Sequence, residues 1–288
     1  MTKSVAFLGL GVMGYPMAGH LANNGYDVTV FNRTQAKSDA WVKQHKGVAA
    51  SSITEAVEKA DIVFACLGDD PDVAAVVEQS TSALKSGAIF VDHTTASPSL
   101  ARKLHEELGR LGVGFIDAPV SGGQAGAENG KLSVMCGGDE AHVEAARQAM
   151  DSYAARVVHV GPSGHGQLCK AVNQICIAGV LQGLSEGVHF ATQSGLDIER
   201  VLEAISGGAA QSWQMENRTK TMAADEFDFG FAVDWMRKDL RIALTEAREN
   251  GSRLALTALV DQFYADVQAM GGGRWDTSSL IRRLNRDN

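Results

Sequence analysis

The N-terminal part of the chain alternates short apolar runs with longer segments of helical periodicity. The β-rich runs occupy residues 4–8, 27–32, 61–66, 89–92 and 114–118. Helical patterns lie between them at 15–24, 54–59, 72–80 and 99–111. Further apolar runs at 132–136 and 157–160 predict strands at the far side of the same sheet. Strands that alternate with helices predict a doubly wound α/β fold, in which helices cover both faces of a parallel sheet.

The pattern changes at the glycine-rich segment 161–166. This segment also contains proline and serine, and such a cluster of breakers indicates a boundary. Helical patterns alone follow it, at 167–193, 198–205, 212–222, 233–250 and 254–270. We therefore expect an α/β domain over residues 1–162 and an all-α domain over residues 163–288.

The longest helical pattern, at 167–193, carries apolar residues around most of its circumference. They are Leu168, Val172, Ile175, Ile177, Val180, Leu181, Leu184, Val188 and Phe190. A helix that is apolar nearly all round is typical of a buried core helix. We therefore expect this helix to be buried in the second domain.

Composition excludes several functional classes. The 288 residues are 45% hydrophobic and carry a formal net charge of −8, which argues against a nucleic-acid partner. The sequence lacks a signal peptide pattern and an apolar stretch long enough to span a bilayer. The four cysteines have no metal-ligand spacing, so we expect reduced thiols, no metal and a cytoplasmic location.

Residues 9–14 fit the G-x-G-x-x-G pattern of dinucleotide-binding turns. The six residues are Gly9, Leu10, Gly11, Val12, Met13 and Gly14, and they lie between a strand pattern and a helix pattern. In this context the first glycine permits the turn, the second lets the backbone approach a pyrophosphate, and the third lets helix and strand pack closely. The pattern predicts a nicotinamide cofactor in a Rossmann-type domain; the alternative is a glycine-rich turn with no ligand.

The end of the second strand predicts which cofactor binds. An NAD site usually places an acid here to bond the ribose 2′-hydroxyl. This chain has Asn32, Arg33 and Thr34 instead. The guanidinium of Arg33 can pair with a 2′-phosphate and the Thr34 hydroxyl can add a donor, so we favour NADP over NAD. The alternative is that Arg33 is a solvated surface residue.

Three later strand patterns end in glycine- or hydroxyl-rich segments. These begin at Leu67-Gly68, at Asp92 and at Asp117, and ligands bind at this edge of open α/β sheets. Ser121, Gly122 and Gly123 could present backbone N–H groups to a substrate carboxylate. An ordinary turn is the alternative interpretation.

Lys170 is the strongest candidate for proton transfer. It lies near the start of the long helix among apolar neighbours, and Asn173 and Gln174 follow three and four positions later on the same face. A lysine held partly away from water can exchange its proton near neutral pH, as acid–base catalysis needs. A lysine that reaches solvent from the helix end is the alternative.

Four motifs in order resemble the β-hydroxyacid dehydrogenase family. They are 9–14 with Met17, the Asp-Ala-Pro-Val-Ser-Gly-Gly stretch at 117–123, the Gly-x-x-x-Lys-x-x-Asn stretch at 166–173, and Lys238-Asp239. The family includes 3-hydroxyisobutyrate dehydrogenases and the tartronate and glyoxylate/succinic semialdehyde reductases. The resemblance covers essentially the whole chain. It implies an N-terminal Rossmann domain, a C-terminal domain like that of 6-phosphogluconate dehydrogenase, an active site between them, and homodimers or homotetramers built through the helical domain.

The resemblance also implies roles for particular residues. Lys170 matches the catalytic lysine, and Ser121, Gly122 and Gly123 match the loop that binds the substrate carboxylate. Leu67, Gly68 and Thr95 match the cofactor-binding segments, Lys238 matches a lysine that closes over the cofactor, and Asp239 matches the acid beside it. Gln174 stands where many members have a second asparagine, which leaves open whether it or Asn173 orients the substrate.

The sequence thus predicts an NADP-dependent oxidoreductase that interconverts a small 3-hydroxy acid and its semialdehyde. Lys170 acts as general acid in reduction and as general base in oxidation. Two alternatives remain: an imine reductase, although that group usually lacks a lysine here, and a catalytically silent NADP-binding protein.

Overall fold

The computed structural model describes residues 3–285 and divides the chain into two compact units. Met1–Lys170 forms the first unit and Ala171–Asn288 the second. The sequence boundary after residue 162 stays a prediction, and the long helix that follows it begins in the first unit and continues into the second.

Across the described residues, the first unit contains a nine-stranded sheet. Its strands are β1 (Ser4–Leu8), β2 (Asp27–Phe31), β3 (Val48–Ala49), β4 (Ile62–Ala65), β5 (Ile89–Asp92), β6 (Gly114–Asp117), β7 (Val120–Ser121), β8 (Leu132–Gly137) and β9 (Ala154–Gly161). Their order is β3-β2-β1-β4-β5-β6-β8-β7, with β9 paired to β8. The order 3-2-1-4-5-6 at one side is that of a doubly wound dinucleotide-binding sheet. The strands are added toward one edge from β1 to β3 and toward the other edge from β4 onward, so the switch point of the strand order lies between β1 and β4. The predicted α/β fold class is confirmed.

The far side of the sheet departs from the parallel arrangement that the sequence predicts. Strands β6 and β7 both pair with β8 in antiparallel register. A parallel neighbour needs a crossover of a dozen or more residues, and the chain between β7 and β8 is shorter than that. The short helix there lets the chain reverse direction without crossing the sheet.

Helices cover both faces of this sheet. They are α1 (Gly14–Asn23), α2 (Gln35–Gln44), α3 (Ile53–Val57), α4 (Asp70–Ser80), α5 (Pro98–Gly109), α6 (Gly123–Glu128) and α7 (Glu140–Met150). Alternate residues of β1 point to opposite faces, so Phe7 joins the core on one face and Leu8 the core on the other. Strand β4 is buried along its whole length, as expected where both faces are covered.

The second unit is helical, which confirms the predicted all-α region. The long helix α8 (His165–Gln193) leads into α9 (Ile198–Ile205), α10 (Trp213–Ala223), α11 (Val233–Asn250), α12 (Ala255–Ala269) and a 3₁₀ helix at Thr277–Arg283. The core of this unit includes Leu181, Met236, Leu240, Val260 and Tyr264, all fully buried. None of the described helices is both long enough and apolar enough to cross a membrane.

Helix α8 is not buried all round, so that expectation is wrong. Val172 is 60% exposed and Phe190 is 70% exposed, while Leu181 on another face is fully buried. The core of one unit can cover only one face of a helix. The remaining apolar positions of α8 therefore stay at the surface of the chain.

The turn between β1 and α1 gives its three glycines different tasks. Gly9 has φ +100°, a left-handed conformation that favours glycine. A Cβ on Gly14 would overlap the carbonyl oxygen of Gly9, so this glycine lets the helix start pack on the strand end. A Cβ on Gly11 would have no protein atom within 4 Å. The fold therefore requires Gly9 and Gly14, whereas Gly11 keeps space open beside the turn.

This difference can be tested with two matched substitutions. We expect Gly14→Ala to lower Tm by about 3–10 °C, because relieving a backbone overlap costs roughly 1–3 kcal/mol. We expect Gly11→Ala to keep Tm within about 2 °C but to raise the Kd for NADPH at least about tenfold, because its methyl group occupies the space where a pyrophosphate would approach. Thermal unfolding and cofactor fluorescence titration measure the two effects. Normal NADPH affinity in Gly11→Ala would contradict this assignment.

Candidate active site

The carboxyl ends of β4, β5 and β6 carry segments that hydrogen bonds join into one edge. The Leu67 N–H donates to the Thr94 hydroxyl oxygen at 2.9 Å, and the Thr94 N–H donates to the Asp92 carboxylate at 2.9 Å. The Ala118 N–H donates to the Asp92 carbonyl at 2.7 Å. The predicted cofactor segments at Leu67-Gly68 and Thr95 are therefore held on neighbouring strands, next to the switch point between β1 and β4.

Asn32 has a structural task that the sequence did not show. Its side-chain oxygen accepts the Leu10 N–H at 2.9 Å, and its amide nitrogen donates to the Thr34 carbonyl at 3.1 Å. The side chain thus ties the glycine turn to the end of β2. The same bonds fix the segment from which Arg33 projects.

Arg33 reaches into solvent. Its side chain is 93% exposed, and its guanidinium lies 3.7 Å from the Asp72 carboxylate. A surface ion pair of this kind contributes little to stability and exchanges easily for a stronger partner. The guanidinium is therefore accessible to an anion at the end of β2.

Ser121, Gly122 and Gly123 lie at the turn from β7 into α6. Ser121 pairs with Ser133 of β8, which fixes the strand before the turn. Gly122 and Gly123 have φ values of +131° and +62°, so glycine suits both positions. The sequence could not show these backbone angles, which turn the chain between β7 and α6.

Lys170 is buried, with 7% of its surface exposed, near the start of α8. This burial favours the interpretation that the side chain has a specific task over that of a solvated lysine. The start of α8 lies against the carboxyl end of β6. The carboxylate of Asp117, the last residue of β6, accepts the N–H groups of Gly164 at 2.8 Å and Gln167 at 3.0 Å. Lys170 thus belongs to the same unit as the glycine turn.

In the second unit, four predicted site residues form one polar chain. Asn173 donates to the Gln174 side-chain oxygen at 2.7 Å, and Gln174 donates to the Asp239 carboxylate at 2.7 Å. The other oxygen of Asp239 lies 3.4 Å from the Lys238 ammonium. Gln174 and Asp239 are almost fully buried, whereas Asn173 is half-buried. The amide of Gln174 is therefore engaged on both its oxygen and its nitrogen.

His93, which the sequence analysis did not single out, lies inside the first unit. Its two ring nitrogens lie 2.6 Å from the Ala118 carbonyl and 2.7 Å from the Tyr153 hydroxyl. Complete burial lowers its pKa to about 4, although the Ala118 bond acts in the opposite direction. The ring is thus neutral at pH 7 and holds the ends of β5 and β6 together. Its polar partners lie 25 and 60 positions away, so no local signal marked it.

Metal chemistry has no candidate centre in the part of the chain that the structure describes. Among residues 3–285, no group of three or more His, Cys, Asp or Glu side chains is arranged to hold a metal ion.

Comparison with known proteins places these features in a family. Residues 4–161 match the model for the NAD-binding domain of 6-phosphogluconate dehydrogenase. Residues 164–284 match the model described as NAD-binding of NADP-dependent 3-hydroxyisobutyrate dehydrogenase. Together the two models cover nearly all of the described residues.

Relatives match along almost the full length. An uncharacterized oxidoreductase of Shewanella frigidimarina is 58% identical over 98% of both chains. The 2-hydroxy-3-oxopropionate reductase of Escherichia coli is 34% identical over 97% of this chain and 96% of its own. The structure of 3-hydroxyisobutyrate dehydrogenase from Mycobacterium tuberculosis superposes with a TM-score of 0.91, at 29% identity and full coverage of both chains. The glycine turn, the buried lysine and these matches together show that the chain belongs to the β-hydroxyacid dehydrogenase family of NAD-binding oxidoreductases.

Proposed function

We propose that this protein uses NADP(H) to interconvert a small 3-hydroxy acid and its semialdehyde, with Lys170 as the proton-transfer residue. The observation that carries the proposal is the burial of Lys170 on α8, in the unit that also carries the glycine turn. Lysine is costly to bury without a task, and a lysine shielded from water is suited to general acid–base work. Family membership supports the same reaction class.

The residues present fit a nicotinamide dinucleotide. Gly11 leaves space beside the turn, and the N–H groups at the start of α1 favour a pyrophosphate. We propose that residues 9–14, Asn32 to Thr34, Leu67, Gly68, Thr95 and Lys238 hold the cofactor. When bound, the reduced cofactor supplies the hydride for the carbonyl carbon.

The chain supplies binding, orientation and the proton. We propose that Ser121, Gly122 and Gly123 bind the substrate carboxylate. Protonated Lys170 then donates a proton to the carbonyl oxygen as the alcohol forms, and neutral Lys170 accepts that proton when the reaction runs as oxidation. The protein thereby stabilises charge that develops on oxygen in the transition state.

Of Asn173 and Gln174, we propose that Asn173 orients the substrate. Gln174 is 1% exposed and already bonds Asp239 and Asn173, so its function is to fix those two side chains. Asp239 acts through the same chain, since it links Gln174 to Lys238. This assignment gives a structural role to Gln174, which stands where many family members have a second asparagine.

The reaction can be tested with a panel of small aldehyde acids and a lysine variant. With NADPH, we expect turnover of at least one of glyoxylate, succinic, tartronate or methylmalonate semialdehyde, followed by nicotinamide absorbance. Lys170→Ala should lower kcat by about 10²–10⁴-fold while NADPH binding is kept, because the proton donor is lost and the cofactor site is not. Lys103→Ala is the control, since Lys103 is a 65% exposed lysine paired with Glu107.

Other outcomes of the panel would favour other functions. Turnover of a cyclic imine but of no aldehyde acid would identify an imine reductase. Tight NADPH binding with no turnover of any compound would identify a silent binding protein. Near-normal kcat in Lys170→Ala would exclude Lys170 from proton transfer.

We propose NADP rather than NAD because Arg33 is the accessible charged group at the end of β2. We expect Arg33→Ala to raise the Kd for NADPH about 10- to 100-fold, since a hydrogen bond to a charged group is worth about 1.5–3 kcal/mol. The Kd for NADH should change less than about threefold, because NADH has no 2′-phosphate for Arg33 to bind. Arg110→Ala, at an exposed arginine paired with Glu106, is the control. Equal losses for both cofactors would contradict the preference.

We propose that two copies of the chain associate through the second unit. Helices α8 and α12 adjoin, because a Cβ on Gly179 of α8 would lie 3.3 Å from Leu256 of α12. Leu256 is 55% exposed and Leu259 is 50% exposed. These two leucines are three positions apart, so they lie on one face of α12. Exposed apolar side chains grouped on one face are typical of an interface, and a second copy of the same chain offers the matching face.

Light scattering tests this association. We expect the mass of a dimer or a larger even assembly for the wild type, and a shift toward monomer for Leu256→Glu, because a buried unpaired carboxylate destabilises an apolar interface. Leu111→Glu is the control, since Leu111 is a 48% exposed leucine of the first unit. A monomeric wild type would refute the proposal.

We also propose a cytoplasmic location. The cysteines at positions 66, 136, 169 and 176 are all thiols, which is typical of proteins kept in a reducing compartment. Cell fractionation tests this location, and recovery of the protein in an oxidising compartment would contradict it.

A further inference from the structure

The first turn of α8 is anchored by the side chain of Gln167. This glutamine is 1% exposed. Its side-chain oxygen accepts the Ala96 N–H at 3.0 Å, and its amide nitrogen donates to the Thr94 carbonyl at 2.7 Å. The two partners lie on the loop after β5, so one side chain holds both sides of Thr95.

The backbone of the same turn is anchored by Asp117. The two oxygens of its carboxylate accept the N–H groups of Gly164 and Gln167. Burial raises the pKa of Asp117, and these N–H groups partly offset that rise. A helix begins with N–H groups that lack partners within the helix, and Asp117 supplies partners for this buried helix start.

Two glycines bring the turn and the strand ends close together. A Cβ on Gly166 would overlap the carbonyl oxygens of Asp117 and Met135. A Cβ on Gly137 would overlap the Asp117 carboxylate and the Gly166 backbone nitrogen. The helix start therefore has no room to shift against β6 and β8 while these bonds are in place.

These contacts join two parts of the proposed site. Gln167 and Lys170 are three residues apart, so they are neighbours on one face of α8. At the other end of the network, Thr94 accepts the Leu67 N–H. The loops proposed to contact the cofactor and the turn that carries the lysine thus share one buried set of hydrogen bonds.

We propose that Gln167 is a positioning residue that holds Lys170 in register with the Thr95 loop. This inference rests on the proposed role of Lys170. A carboxamide matches both partners, because its oxygen accepts the Ala96 N–H and its nitrogen donates to the Thr94 carbonyl. Methionine has a side chain of similar length to glutamine, but it is apolar and restores neither hydrogen bond.

The test compares Gln167→Met with a matched control on the same helix. Gln182 is also buried, at 5% exposure, and its amide nitrogen donates to Glu186 of α8 itself. Gln182→Met therefore removes a buried glutamine bond without touching the loop after β5. Thermal unfolding of both variants gives the stability loss against which activity is judged.

We expect Gln167→Met to lower kcat about 10- to 100-fold, with KM and the Kd for NADPH changed less than about threefold, because a small displacement of a reacting group mainly slows the chemical step. We expect Gln182→Met to keep kcat within about twofold, because the Gln182 bond lies within α8 and does not reach the loop after β5. Equal kcat values in the two variants would show that Gln167 contributes to stability only, and would overturn the proposal.

A second measurement does not depend on the substrate. Acetic anhydride labelling, analysed by mass spectrometry, compares Lys170 with the exposed Lys103 in the same sample. We expect the relative labelling of Lys170 to rise at least about threefold in Gln167→Met but not in Gln182→Met, because loss of the anchor opens the helix start. Unchanged labelling would overturn the proposal even if all aldehydes proved to be substrates. A wild type that reduces no aldehyde would refute the proposed function, while the labelling would still decide whether Gln167 holds Lys170.

Discussion

The buried carboxylate of Asp117 at the start of α8 is the interaction on which the arrangement of the first unit depends. A helix start inside a protein leaves N–H groups that water cannot reach, and each unpaired group is costly. Asp117 accepts two of them, and Gly137 and Gly166 provide the space for the close approach. The position of Lys170 follows from this contact, because the residue lies less than two turns further along the same helix.

At the carboxyl edge of the sheet, some residues stabilise the fold and others are available to contact a ligand. Gly9 and Gly14 serve the turn, and Asn32 ties that turn to β2. A Cβ on Gly11 would face open space, and the side chain of Arg33 is exposed to solvent, so the packing of the fold depends little on either residue. Such a division lets the edge be rigid before a cofactor arrives, so less ordering is required on binding.

In the second unit, a buried acid is made tolerable by a chain of polar partners. Asp239 is 2% exposed, a position that would be costly for an isolated carboxylate. Gln174 and Lys238 each approach one of its oxygens. The longer side chain of glutamine, where many family members have asparagine, therefore has a specific partner in this protein. Gln174 thus links Asn173 to the buried acid within the unit.

The sequence by itself determined the features that depend on neighbouring residues. The glycine turn, the alternation of strands and helices, the change to an all-helical region and the helix at Val233–Asn250 all follow from local patterns. The four family motifs, which occur in order along the chain, also made Lys170 the candidate for proton transfer. Only the tertiary structure decided the antiparallel pairing of β8, the exposure of one face of α8, and the partners of Asp117, Gln167 and Gln174. The bonds from Asp117 to Gly164, from Gln167 to Thr94 and from Gln174 to Asp239 join residues between 47 and 73 positions apart, and no local pattern encodes which distant groups meet when the sheet and the helices pack.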